Sequence, residues 1–292
     1  MPTSKPHPGF LVDTAWLATS LADPAVVTLD ATTHLLPSPA RPYDVVSGRA
    51  DFELGHIPGA RFADIDNDLS DPAQQAPLHF MLPSPQRFAA GVGALGVGND
   101  THVVCYSTAN HWWATRLWWM FRVFGYHRVS VLDGGFQKWR AEARSVETGP
   151  APTPSPRRFD AVFHPSLVAD RHDVLAAIGN AGICTVNALR PEQHRGEGGT
   201  RYGRLGHIAG STNVAAADLV NADNTFKSPD ELRHLLAGPL AAPTVITYCG
   251  GGIAASSTTL ALTMLGHSGV RLYDASLSEW APDPSLPMAT GN

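Results

Sequence analysis

The chain has 292 residues, a formal net charge of −5, 16 % charged and 43 % hydrophobic residues. That length suits one large or two medium domains with a sizeable core. The negative charge argues against a nucleic-acid footprint. No apolar run is long enough for a membrane span, and MPTSKPHPGF lacks the apolar segment of a signal peptide. The three cysteines, Cys105, Cys184 and Cys249, form neither a disulfide framework nor a metal-ligand spacing, so a reducing, cytoplasmic setting is expected.

In chain order, the pattern predicts a short helix over Gly9–Asp23 and a buried strand at Val26–Asp30. The proline-rich stretch His34–Pro42 reads as loop. The hexapeptide GHIPGA (55–60) and then FADID (62–66) follow. Ser84 and Pro85 mark a helix start, His102–Tyr106 is another buried strand, and Trp112–Phe124 is a strongly apolar helix. Val129–Leu132 reads as a strand leading into Asp133-Gly134-Gly135. Gly149–Arg158 contains four prolines and no core residues. It reads as a linker between a first unit, 1–148, and a second, 159–292.

The second half repeats the first in the same order: VTLDAT (27–32) with CTVNAL (184–189), GHIPGA (55–60) with GHIAGS (206–211), VVCYS (103–107) with VITYC (245–249), and FGYHRVSVLDGGFQKW (124–139) with LGHSGVRLYDASLSEW (265–280). The chain is thus a tandem duplication of one α/β unit. Alternating strands and helices predict a parallel, helix-covered sheet in each half.

One comparison within the repeat points to chemistry. Val245–Tyr248 reads as a strand delivering Cys249 to a loop of Gly250, Gly251 and Gly252, and the run from Ala254 reads as a helix. N–H groups of such a loop can converge on an anion, helped by the helix start. A cysteine after a strand is also an ordinary small core residue, and three glycines are an ordinary tight turn. The first copy has Ser107 where the second has Cys249, followed by Thr108-Ala109-Asn110 and two tryptophans. One copy offers a thiol in an open loop; the other offers a hydroxyl among bulky groups.

These motifs together resemble the two-domain sulfurtransferases of the rhodanese superfamily: GHIPGA with FADID, RLWWMFRVFG (116–125) with VSVLDGGFQKW, the second GHI motif, FKSPDELRHLL (226–236) and CGGGIAA. The resemblance runs nearly end to end. It implies two rhodanese-like domains, each a mainly parallel sheet with helices on both faces, and a catalytic Cys249 in the second. It also implies a persulfide that passes sulfur from a small anionic donor to a thiol or cyanide acceptor, possible acceptors including thioredoxin-like proteins. The neutral loop is more similar to 3-mercaptopyruvate-using members than to thiosulfate-using ones, although those often have serine where this chain has Gly251.

The resemblance also assigns Arg195 and Arg201, with Arg204 close behind, to the donor's anionic end, since a guanidinium fork meets a carboxylate with two hydrogen bonds. The N–H groups of Gly250, Gly251, Gly252, Ile253, Ala254 and Ala255 are assigned to the persulfide. Asp64 and His79 are supporting candidates, with His79 offset by one from the family position. Solvated loop arginines are the plain alternative. Departures include Asn187 for an acid, Ala209 for proline, and Asp274-Ala275-Ser276-Leu277. The implied chemistry needs no metal or organic cofactor, and the scattered histidines show no metal spacing. Trp112 or Trp113 is placed at the pocket wall. A cysteine phosphatase would need an arginine six residues after the cysteine, where Ala255 stands. A non-enzymatic sulfur-binding module is the alternative from another class, and it requires a buried, inaccessible Cys249.

Overall fold

The computed structural model describes residues 9–38, 42–73, 78–197 and 202–291. Two five-stranded sheets form the frame, and every pairing within them is parallel. In the first the order is Leu11–Val12, Val129–Leu132, His102–Tyr106, Val26–Asp30, Arg61–Phe62. In the second it is Val168–Ala169, Val270–Tyr273, Thr244–Tyr248, Ile183–Asn187, Thr212–Asn213. Read from the same edge, the two orders correspond strand for strand, so the duplication seen in the sequence is also a duplication of topology. The central strands are buried along nearly their whole length, as a sheet covered on both faces requires.

Two local expectations change. The segment expected as one helix over Gly9–Asp23 begins with an edge strand, Leu11–Val12, paired with Val131 and Leu132. The helix is Thr14–Ser20, and the Asp13 carboxylate accepts from the Trp16 N–H at its start. A cap in extended geometry ends the strand and begins the helix within one residue. The stretch His34–Pro42 is not all loop, since Thr33–Leu36 pairs antiparallel with Asp44–Ser47. Leu35 and Leu36 extend the strand, and Pro37 follows its last residue. This hairpin reaches toward the second unit.

Residues 149–158 have no helix or strand, but they are tied down. The Arg157 N–H donates to the Gly93 carbonyl at 2.9 Å, and its guanidinium pairs with Asp100 at 2.7 Å. Phe159 then enters an aromatic cluster of the first unit with Phe88, Phe121 and Tyr126. The N–H groups of Val162 and His164 donate to the carbonyls of Phe124 and Val123. We therefore propose that the second unit starts physically after His164, because the preceding residues contribute to the first unit's packing.

The two units exchange arms. The Phe226 N–H donates to Asp133 at 2.7 Å, while the Leu82 N–H donates to Asp274 at 2.9 Å. These are equivalent contacts in the repeat. Each unit thus supplies a main-chain donor to the aspartate that follows the partner's last central strand. The largest hydrophobic cluster runs through both units. At its centre the helices Trp112–Val123 and Ala255–Met264 meet, and Thr115 Oγ1 lies 2.7 Å from Ser256 Oγ and 2.9 Å from Ser257 Oγ.

One interface feature has no counterpart. Arg116 is fully buried, and its guanidinium donates to Asp274 at 2.5 Å, to the Gly252 carbonyl at 3.3 Å and to the Phe80 carbonyl. Phe80 holds a positive φ of 62° to present that carbonyl. The second copy has only Ser257 and Thr258 in this part of its helix. A cation from the first unit therefore braces the glycine loop of the second.

Candidate active site

Cys249 follows the strand Thr244–Tyr248 and is 2 % exposed. Its N–H donates to Ser276 Oγ at 3.1 Å, and that hydroxyl donates onward to the Tyr273 carbonyl at 2.7 Å. Ser276 does this from a left-handed conformation, φ 52°, which is unfavourable for a residue with a Cβ. The first copy has Gly135 in this place with φ 57°. The serine is therefore retained where glycine would be relaxed, and its hydroxyl fixes the cysteine's backbone.

Two of the three glycines are sterically required. A Cβ on Gly250 would lie 2.0 Å from the Tyr202 hydroxyl. A Cβ on Gly252 would lie 2.5 Å from the Asp274 carbonyl, and Gly252 has φ 75°. Gly251 is different: a Cβ there would meet Tyr43 Oη at 3.4 Å and Ser278 Oγ at 3.7 Å, which is ordinary contact. The Gly250 carbonyl accepts from both the N–H and the hydroxyl of Ser278, at 2.9 and 2.8 Å. Carbonyls of the loop are thus engaged with protein. Its N–H groups from Gly250 to Ala254 have no protein acceptor among the described residues. The helix that follows has no side-chain cap at Ala254. A run of unclaimed donors at an uncapped helix start attracts an anion.

Cys249 lines a cavity of about 260 Å³ between the units. From the second unit come Gly250, Gly251, Ile253, Ala254, Leu189 and Tyr202. The first unit supplies the hairpin residues Thr33–Leu36 and Tyr43, together with Ala109, Asn110, Trp112 and Trp113. The sequence placed Trp112 or Trp113 at the wall, and both line it. Gly252 and Ala255 lie behind the lining; Ala255 is fully buried. Cys249 is almost covered, yet it faces this cavity rather than the domain interior.

The other two thiols sit on central strands. Burial pushes Cys105 well up from the ordinary thiol range and raises Cys184 as well. Neither is surrounded by unclaimed donors of the kind that follow Cys249.

The expected cations are placed differently. Arg195 makes a two-pronged contact with Glu197, at 2.9 and 2.8 Å, and does not line the cavity. Arg204 is committed to main-chain carbonyls of Ala281, Leu286, Trp280 and Asp283. It pins the C-terminal segment with four hydrogen bonds and does not line the Cys249 cavity. Arg201 lies outside the described residues. Arg190 was not singled out by the sequence, but it lines an outer cleft of about 660 Å³ that shares Tyr43, Trp112 and Tyr202 with the Cys249 cavity. It is exposed, and no carboxylate pairs with it among the described residues.

The supporting candidates also shift. Asp64 accepts from Ser47 Oγ at 3.0 Å and from the Asn67 N–H at 3.1 Å, so it organises its own turn. Asp66, two residues on, is the acid whose charge is felt by both His79 and Tyr43. Burial raises Asp66, and His79 opposes that rise. The His79 ring lies 5.9 Å from the Tyr43 ring. Tyr43 and Tyr202 are cavity residues the sequence reading missed. Tyr43 sits beside the prolines, where a turn was expected, and no motif flagged either phenol.

Asn187, the departure from the expected acid, is explained by its contacts. Its carbonyl oxygen accepts from the Leu189 N–H at 3.0 Å and its amide lies 3.2 Å from His194 Nδ1. The turn needs an acceptor there, and a neutral one suffices. Among the described residues, no group of His, Cys, Asp and Glu could hold a metal ion, and no helix is long and apolar enough to cross a membrane.

Comparison with known proteins agrees with this geometry. The model of the rhodanese-like domain matches twice, over residues 13–142 and 189–283. The chain is 36 % identical over 281 residues to the 3-mercaptopyruvate sulfurtransferase of Homo sapiens, covering 92 % of this chain and 91 % of that protein. It is 36 % identical over 282 residues to the thiosulfate sulfurtransferase of Cricetulus griseus, with the same coverage. The crystal structure of a 3-mercaptopyruvate sulfurtransferase from Escherichia coli superposes with a TM-score of 0.78 at 34 % identity, covering 91 % of this chain and 98 % of that one. By fold, by repeat and by similarity along nearly its whole length, the chain belongs to the rhodanese family of sulfurtransferases.

Proposed function

We propose that the protein moves a sulfane sulfur from a small anionic donor, 3-mercaptopyruvate in preference to thiosulfate, to a thiol or cyanide acceptor, with Cys249 as the nucleophile. The observation that carries this is the set of unclaimed N–H groups from Gly250 to Ala254 around a cysteine that opens onto a cavity. The Cys249 thiolate attacks the donor's sulfur, and the outer sulfur of the resulting persulfide bears negative charge. Main-chain donors fixed in place stabilise that charge without rearranging. The donor's carboxylate is met at the cavity mouth by Arg190, while Arg195 is held by Glu197 and contributes only if that pair opens; Arg201, outside the described residues, keeps the donor-binding role that the family resemblance implies.

The preference for 3-mercaptopyruvate is supported by the lining: among the described residues, no lysine or arginine borders the Cys249 cavity itself. A doubly charged sulfonate-like donor fits such a neutral pocket less well than a donor whose charge sits at one end. The acceptor we favour is a small thiol or a thioredoxin-like protein in a reducing, cytoplasmic setting, in keeping with the three free cysteines. The test is a side-by-side rate comparison with the two donors, together with intact-mass analysis after exposure to donor. One extra sulfur on Cys249 and faster turnover of 3-mercaptopyruvate are expected. Clearly faster turnover of thiosulfate would reverse the donor assignment, and no adduct at Cys249 would remove the nucleophile.

A further inference from the structure

The persulfide chemistry leaves one charge unaccounted for. When the C–S bond of a 2-oxo-3-thio acid breaks, its electron pair passes into the carbonyl and an enolate oxygen forms. The glycine loop serves the sulfur, and Gly251 brings no side chain to serve the oxygen. The first unit places a phenol opposite that gap. Tyr43 lines the same cavity as Cys249, and its oxygen lies 3.4 Å from the position a Gly251 Cβ would take.

The phenol is held in place. It faces Ser278, which is itself anchored twice to the Gly250 carbonyl. The ring is 7 % exposed and rests against His79. Burial, with the negative charges of Cys249 and Asp66, pushes Tyr43 above the ordinary phenol range. It therefore stays a protonated donor throughout the neutral range, as a group that stabilises an oxyanion by hydrogen bonding must. Of the other ionisable side chains at this wall, His34 is engaged by Asp51 at 2.7 Å, and the Tyr202 hydroxyl stands over Gly250 rather than Gly251.

We propose that Tyr43 is a catalytic residue specific to the 2-oxo acid donor: its O–H binds the donor's carbonyl oxygen and holds the enolate as the C–S bond breaks. This rests on the sulfur-transfer reading above. The new S–S bond joins Cys249 to the donor sulfur, and the C–S pair becomes the enolate. The hydrogen of the donor thiol leaves the outer persulfide sulfur and ends on the former C–S carbon, giving pyruvate. No oxidant, reductant or outside acid is needed, and Tyr43 keeps its own proton.

The test is Tyr43→Phe, which keeps the ring and its packing, assayed for turnover with saturating 3-mercaptopyruvate and, separately, thiosulfate. Thiosulfate releases sulfite and forms no enolate. The expected result is a fall on the order of 100-fold with 3-mercaptopyruvate, the usual cost of losing one oxyanion donor. Turnover of thiosulfate should change by less than about threefold, because the loop and nucleophile are intact. Equal losses with both donors would mean that Tyr43 only shapes the loop through Ser278, and no loss with either would mean that it does nothing; each overturns the proposal. Wild-type protein that uses thiosulfate alone also overturns it, while wild-type protein that uses neither donor overturns the sulfur-transfer reading beneath it.

Discussion

The two central loops of the repeat start from the same backbone plan and end with opposite properties. In both, the residue after the strand accepts from the turn that follows the next strand: Phe136 N–H to Ser107, Leu277 N–H to Cys249. In the first copy side chains take part of the loop's hydrogen-bonding capacity. The Thr108 N–H donates to Thr32 Oγ1 at 2.8 Å, the Trp112 N–H to Asn110 Oδ1 at 3.0 Å, and the Ser107 hydroxyl to the Asn110 carbonyl. His111 fills the remaining space against Phe226 and Asn224, and burial lowers it to about 4, so it stays neutral. In the second copy three glycines follow the cysteine, and no N–H from Gly250 to Ala254 has a protein acceptor among the described residues. A loop partly closed by its own side chains leaves less room for an anion, whereas an anion-binding loop must leave its polar groups unpaired until the anion arrives.

The sharpest way to break this comparison is to exchange the key atoms. Cys249→Ser should lower sulfur transfer on the order of 10⁴-fold or more while the protein stays folded, as the loss of a nucleophile does. Ser107→Cys should add no second sulfur in intact-mass analysis, because side chains take the Thr108 and Trp112 donors and the buried His111 fills the space beside the first loop. A persulfide at residue 107 would show that the loop's hydrogen bonding does not control reactivity.

Next in size is the brace between copies. Arg116→Met leaves Asp274 buried without its cation, which costs about 3–5 kcal/mol. Denaturant unfolding should show this loss, and Arg116→Met/Asp274→Asn should recover part of it. If the single variant unfolds at the wild-type midpoint, the buried pair contributes nothing to holding the units together.

The glycines offer a graded series. Gly250→Ala and Gly252→Ala should each reduce turnover by roughly 100-fold, since the loop must shift away from Tyr202 or Asp274 and misplace its donors. Gly251→Ala should cost less than about tenfold, because its Cβ meets only ordinary contacts. Equal effects at all three positions would contradict the steric account.

A smaller effect separates the equivalent positions Asp30 and Asn187. Asp30 is fully buried, and burial raises it to about 6 from 3.8. The folded state then binds a proton more readily than the unfolded chain does, so this residue's contribution is full below pH 4 and is lost as pH rises through about 6. Asp30→Asn should therefore raise stability at pH 7 by about 2–3 kcal/mol and flatten its dependence between pH 4 and 7. Unfolding midpoints across that range check it, and an unchanged slope would refute it. Smallest of all, Ser107→Ala should leave turnover within about twofold of wild type.

Some of this was written in the residues in order. The duplication, the two parallel sheets and the position of Cys249 at a strand-to-helix turn follow from local patterns: short β-branched runs, glycines after them and motifs recurring at matched positions. Such features need only neighbours along the chain. The walls of the cavity do not. Tyr43 reaches Cys249 only because the hairpin after the first strand crosses to the other unit, and Arg190 rather than Arg195 borders the outer cleft because Glu197 takes the latter's guanidinium. Asp64 is tied to its own turn because Ser47 and Asn67 donate to it, while the charge of Asp66 reaches Tyr43. Which polar groups stay unpaired depends on every competitor within hydrogen-bond reach, and that competition is settled only when distant segments pack together.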